Sequence, residues 1–93
     1  MLLITYDFTD NRTRTKFSKF LQKYGRRVQL SVFEIKNSDR VLNKILLEIE
    51  KVYKKKFTLA DSILIWSISE ADQKKIIRYG YAVHEDEEVV VFS

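Results

Sequence analysis

The chain has 93 residues, 45% of them hydrophobic, with no proline and two glycines, which fits one small domain around a single core and excludes a disordered or low-complexity polymer. It has no cysteine, which excludes disulfides and thiolate metal centres and fits a cytoplasmic setting. The formal net charge of +4 is unevenly spread, so the distribution of charge carries more information than its total.

In chain order, the opening "MLLITYD" is apolar but short, without the basic flank of a secretory leader or the length of a membrane span. It reads as a buried strand over Leu2–Asp7, with Leu2, Ile4 and Tyr6 on one face. No membrane partner is expected. Asp10 or Asn11 then caps a helix through a side-chain oxygen. In that helix Phe17, Phe20, Leu21 and Tyr24 form one apolar stripe, and Gly25 is expected to end it as a left-handed stop. Arg12, Lys16, Lys19 and Lys23 run beside that stripe, and Arg14 lies on the opposite flank.

Residues 27–35 alternate as strand, with Val28, Leu30 and Val32 against Gln29, Ser31 and Phe33. Whether residues 26–36 make one bent strand or two short ones is left open. Asn37 or Ser38 caps a second helix over about Asp39–Lys54, whose stripe is Val41, Leu42, Ile45, Ile49 and Val52. Ser62–Ile68, Lys75–Tyr79 and Val89–Phe92 are the remaining expected strands. Two helices covering one face of one antiparallel sheet make an α+β, two-layer sandwich of ferredoxin-like type, with 1–93 as a single domain. The final "VVVF" is short and very apolar. As an exposed edge it would invite aggregation, so pairing with a second subunit's sheet is favoured over pairing within its own.

Residues 12–27 hold seven basic side chains and no acid, and Lys51, Lys54, Lys55 and Lys56 form a second cluster. Such clusters fit a polyanionic partner or a solvated helix face. Most catalytic constellations are missing. There is no cysteine nucleophile, no glycine-rich phosphate loop and no zinc-ligand spacing, and the single histidine, His84, stands in the acidic "HEDEE". Asp7 is the strongest candidate, because it closes a buried strand where the chain turns into the basic helix. Magnesium takes carboxylate oxygens plus several waters, so one or two aspartates suffice. One Asp7 per chain is half a site, which a two-fold axis would complete. On residues alone, a plain polar strand end is favoured over a ligand for Asp7, as helix capping is for Asp10. Tyr6 and Phe33 read as core or interface aromatics.

The strand ending Tyr6-Asp7, the basic helix from Arg12 to Gly25, and "RRVQLSVFEI" after it together resemble the small CRISPR-associated adaptation endonuclease family, the smaller partner of the CRISPR integrase. The match is close over about the first 35 residues. Beyond them, length, strand order and the closing strand agree. Ser67-Ile68-Ser69 stands where relatives often carry proline, and a cysteine pair found in some relatives is missing. The resemblance implies a ferredoxin-like homodimer, with residues 81–93 as a C-terminal extension at the dimer interface. It implies that Asp7 faces its dimer mate as catalytic residue and Mg²⁺ ligand, for cleavage of single-stranded RNA or double-stranded DNA. It implies a dimer that bridges two integrase dimers and holds duplex DNA during spacer acquisition. Arg14, Lys16, Arg26 and Arg27 are then the nucleic-acid contacts, with Tyr6 and Phe33 in support. The alternative is a non-catalytic ferredoxin-like nucleic-acid-binding module, which would need exposed aromatics on its central strands for base stacking.

Overall fold

A computed structural model describes residues 1–36, 38–82 and 90–92. Asn37 as a cap, His84, the acidic "HEDEE" and Val89 of the expected final strand lie outside the described residues. The elements are β1 (Leu2–Asp7), α1 (Asn11–Gln22), β2 (Gly25–Gln29), β3 (Val32–Ile35), α2 (Asp39–Glu48), β4 (Ser62–Ser67), α3 (Glu70–Gln73), β5 (Gly80–Ala82) and β6 (Val90–Phe92). A four-stranded sheet runs in the order β2-β3-β1-β4, every neighbouring pair antiparallel. The crossover through α1 skips the position that β3 fills, and that through α2 skips β1. This is the ferredoxin-like arrangement.

Cross-strand register assigns the faces. Ile4 lies opposite Phe33 on one side and Ile65 on the other, and Tyr6 opposite Ile63. Side chains alternate along a strand, so Leu2, Ile4 and Tyr6 point to the helices, and Leu3, Thr5 and Asp7 to the other face. The helix side is the core: Leu2, Ile4, Tyr6, Phe8, Phe17, Leu21, Phe33, Ile35, Ile45 and Tyr53 are all buried. Each such side chain contributes about 1.5–3 kcal/mol when fully buried. Phe17 is the hub, edge-on to Tyr6 at 5.1 Å, Phe8 at 5.5 Å and Tyr53 at 4.8 Å between ring centroids. That geometry adds about 0.5–1.5 kcal/mol per pair beyond area.

The helix starts follow their caps. Asp10 Oδ2 accepts from the Thr13 amide at 2.8 Å and the Thr13 hydroxyl at 2.7 Å, and Ser38 Oγ accepts from the Val41 amide at 3.4 Å. After α2 the chain continues as a π turn over Ile49–Tyr53 and a 3₁₀ turn over Lys54–Lys56. The wider turn brings Tyr53 into the aromatic cluster. Residues 25–35 form two strands joined by a turn, with a register shift inside β2 between Arg27 and Gln29.

Two expectations are corrected. Gly25 is not a left-handed helix stop. α1 ends at Gln22 with a right-handed cap at Lys23, and Gly25 is the first residue of β2. Its glycine is required by close approach, because a Cβ there would overlap the Glu34 carbonyl oxygen and stand 2.7 Å from Ile35 Cγ1. Residues 75–79 are not a strand. The short α3, capped by Ser69 Oγ accepting from the Asp72 amide at 3.1 Å, precedes them, and the strand begins at Gly80. Ile76 and Arg78 are half-buried while Ile77 and Tyr79 are exposed. The alternation therefore comes from lying across a sheet, not from a ladder within one. β6 pairs with β5, Tyr81 opposite Val91, in a two-stranded sheet separate from the four-stranded one.

Candidate functional site at the Asp7 end of the sheet

Asp7 is the last residue of β1, paired in register with Ser62 at the start of β4. Its side chain is exposed and, among the described residues, makes no hydrogen bond or ion pair. Everything around it is fixed. Tyr6 and Phe8 on either side are buried. The Phe8 carbonyl accepts from Arg14 Nη2 at 2.7 Å. The Thr9 amide donates to Asp61 Oδ1 at 2.9 Å, and Asp10 is occupied by its cap. Hydrogen bonds hold two neighbouring carboxyls below their ordinary range. For Asp10 the causes are the hydroxyl and then the amide of Thr13, with charge contributions from Arg12 and Lys56. For Asp61 they are the amides of Thr58 and Thr9. The result is a free carboxylate on a rigid mount.

Asp7 projects to the face that the helices do not cover. On that face the strap of residues 76–79 crosses the sheet above Leu3, Thr5 and Val32. Arg78 is ion-paired to Glu34, whose other neighbour is Arg26 Nε at 3.8 Å. Leu64 and Trp66 of β4 stay about half exposed (53% and 52%), and Ile77 and Tyr79 more so (74% and 84%). Exposed large apolar groups sharing one face mark an interaction surface.

The four expected nucleic-acid contacts are not gathered into one patch. Lys16 is exposed on α1 in a shallow trough with Asn11, Arg12, Thr15 and Lys19. Arg26 is exposed on the uncovered sheet face. Arg14 is half-buried and engaged, donating to Asn11 Oδ1 at 2.6 Å as well as to Phe8. Arg27 points to the helix side, where it donates to Ser18 Oγ and lies 5.4 Å from the Phe33 ring centroid. Its buried Nε has no partner among the described residues. Tyr6 and Phe33 are core; Tyr6 fixes the strand that carries Asp7. Asp61 escaped the sequence reading. Its only local signal is an aspartate three residues after Thr58 in a loop.

Among the described residues no group of three or more His, Cys, Asp or Glu side chains converges on a metal position. Asp7 alone offers one hard oxygen donor group, which suits magnesium if waters and a second carboxylate complete the shell. A single chain thus fits the ion as half of a site.

The model of the family described as CRISPR associated protein Cas2 matches residues 1–76. The chain is 35% identical over 69 residues to a protein of Synechocystis named CRISPR-associated endoribonuclease Cas2 3, covering 74% of this chain and 72% of that one. It is 36% identical over 80 residues to CRISPR-associated endoribonuclease Cas2 1 of Francisella tularensis subsp. novicida, covering 85% and 78%. The crystal structure of Streptococcus pyogenes Cas2 at pH 6.5 superposes with a TM-score of 0.70 at 25% identity, covering 85% of this chain and 98% of that one.

Proposed function

The chain belongs to the CRISPR-associated Cas2 family, and from that premise we propose that it is a metal-dependent endonuclease whose site is completed by a second copy of itself. The observation that carries this reading is the placement of Asp7. It is an exposed carboxylate, unpaired among the described residues, at the end of a central strand, on the sheet face that also exposes Leu64 and Trp66. A two-fold axis through that face buries the apolar groups and brings two Asp7 side chains together. The β5–β6 ladder extends the interface, since an isolated two-stranded ribbon is marginal in water and gains by adding to a partner's sheet. Relatives named as endoribonucleases support phosphodiester hydrolysis.

Magnesium held by the paired Asp7 carboxylates would supply charge neutralisation at the phosphodiester and a more acidic water. The chain's own part is to hold each carboxylate still. Burial of Tyr6 and Phe8 anchors the strand end. Arg14, bonded to the Phe8 carbonyl, keeps the turn after it from opening. The exposed cations of α1 and Arg26 draw the polyanion in and lower the cost of bringing phosphate beside carboxylate.

A second reading concerns binding without cleavage: a dimer that holds duplex DNA and bridges integrase dimers during spacer acquisition. The favouring observation is the exposed row Arg12, Lys16 and Lys19 on α1, which suits phosphate contacts and not base readout. Both readings are compatible in one protein. A base-stacking module is disfavoured, because Tyr6 and Phe33, the aromatics of central strands β1 and β3, are buried toward the helices. No helix of the described residues is long and apolar enough to cross a membrane.

The test is Asp7→Asn, assayed on single-stranded RNA and double-stranded DNA with Mg²⁺ and with chelator. Loss of a ligand should cost at least about 10²-fold in rate, since even second-shell changes cost ~10–100-fold. Undiminished cleavage removes Asp7 from the mechanism. Lost cleavage with retained duplex binding and spacer acquisition supports the bridging role as separate.

A further inference from the structure

We infer that Asp61 is the positioning residue for Asp7, a carboxylate that bolts together the two loops leaving the sheet at the Asp7–Ser62 pair. The inference rests on the Asp7 reading above and deepens it. Beyond Asp7 the β1 ladder stops, and three residues lead to α1. A strand end of this kind frays unless something outside the ladder holds it. Asp61 Oδ1 accepts from the Thr9 amide at 2.9 Å and from the Thr9 hydroxyl at 3.1 Å. Asp61 Oδ2 accepts from the Thr58 amide at 3.0 Å. The hydroxyls of Thr9 and Thr58 meet at 3.3 Å, and the Ala60 amide donates to Thr58 Oγ1 at 3.4 Å. One side chain therefore ties the segment just after Asp7 to the segment just before its pairing partner Ser62.

The two aspartates at this end of the sheet have opposite assignments. Both oxygens of Asp61 are used by protein donors, so it serves as a fastener. Among the described residues Asp7 has no such donors, which leaves it to meet a cation. Because the fastener acts across 52 residues of sequence, it fixes the relative position of both chain ends at the site. A site shared across a two-fold axis needs that more than most, since an error in one loop is repeated in its partner, and productive geometry tolerates about 0.5 Å.

The test uses the full chain and Mn²⁺ as probe, titrated by water-proton relaxation, so that binding is read without turnover. Asp61→Ala should weaken Mn²⁺ binding about 10–100-fold and speed exchange of the Thr9 amide. Circular dichroism should stay unchanged, because the lost bonds are at the surface. Asp61→Asn keeps an oxygen for both Thr9 donors and should recover much of the affinity. Thr9→Val, which removes one donor and leaves Asp61 in place, should show an intermediate loss; it and Asp61→Asn decide the matter if Asp61→Ala fails to fold. Faster Thr9 exchange with an unchanged Mn²⁺ titration would overturn the positioning role and leave Asp7 as ligand. An unchanged titration in Asp7→Asn would overturn the Asp7 reading itself, and the inference with it.

Discussion

If the cleavage site is built from one Asp7 of each protomer, a mixed dimer carrying a single Asp7→Asn chain should be inactive. The substitution suits a mixing experiment because the side chain is exposed and, among the described residues, unpaired. Its effect on folding should stay within about 0.5 kcal/mol, or roughly 2–4 °C in Tm for a domain of this size. Wild-type and variant chains should then associate at random. With a shared site, activity follows the square of the wild-type fraction; with independent sites it follows the fraction itself. Equal mixing therefore leaves about one quarter of the activity in the first case and about one half in the second, for a two-fold dimer. At three variant chains per wild-type chain the values are about one sixteenth and about one quarter. The assay is the initial cleavage rate after subunit exchange, with native mass spectrometry to confirm mixed dimers. A linear dependence on the wild-type fraction would refute the shared site, whatever Asp7→Asn does alone.

Trp66→Glu places a charge on the exposed apolar sheet face. It should shift sedimentation from dimer to monomer while leaving the monomer folded, and an unchanged dimer would move the interface elsewhere. Lys16→Ala should reduce the salt slope of duplex binding by about 1. Arg27→Ala, by contrast, should lower stability, because its guanidinium is committed to Ser18 and Phe33; urea melts separate the two effects. Gly25→Ala should destabilise by about 1–3 kcal/mol or more, since its Cβ has no room beside Glu34 and Ile35. Acid should also destabilise. Asp10 and Asp61 have folded-state pKa values below their unfolded ones, so their contribution is full above about pH 4 and is lost as pH falls through the folded values. Asp61→Asn should flatten that dependence in thermal melts, and an unaltered acid profile would count against the Asp61 bonds.

Much of this molecule was legible because the signals are local. The Asp10 and Ser38 caps, the α1 stripe of Phe17 and Leu21, and the period of Leu2, Ile4 and Tyr6 each need only a few consecutive residues. Lys75–Tyr79 misled for an instructive reason. Its alternating exposure is that of a strand, but Ile76 and Arg78 rest on the sheet's surface and form no ladder. Gly25 misled likewise: its position after a helix suggests a turn, and the actual constraint is a carbonyl oxygen nine residues away at Glu34.

The candidate site divides along the same line. The sequence by itself determined the two-helix, one-sheet ferredoxin-like class, the carboxylate at the end of the first strand, and the supply of positive charge in α1, because type and period are properties of neighbours along the chain; the tertiary structure split residues 25–35 into β2 and β3. Only the tertiary structure decided which charges are free and which are spent. Arg14 and Arg27 look like Lys16 in a string of basic residues, yet they are committed to Phe8, Ser18 and Phe33 while Lys16 is exposed, and Arg26 is exposed beside Glu34 at 3.8 Å. Asp7 and Asp61 are both aspartates at the edge of β-structure. Among the described residues the first has no donor and the second is fastened, because donors from Thr9 and Thr58 converge on Asp61 through space. A hydrogen bond is decided by distances of about 3 Å, and sequence separation says nothing about those until the sheet has closed.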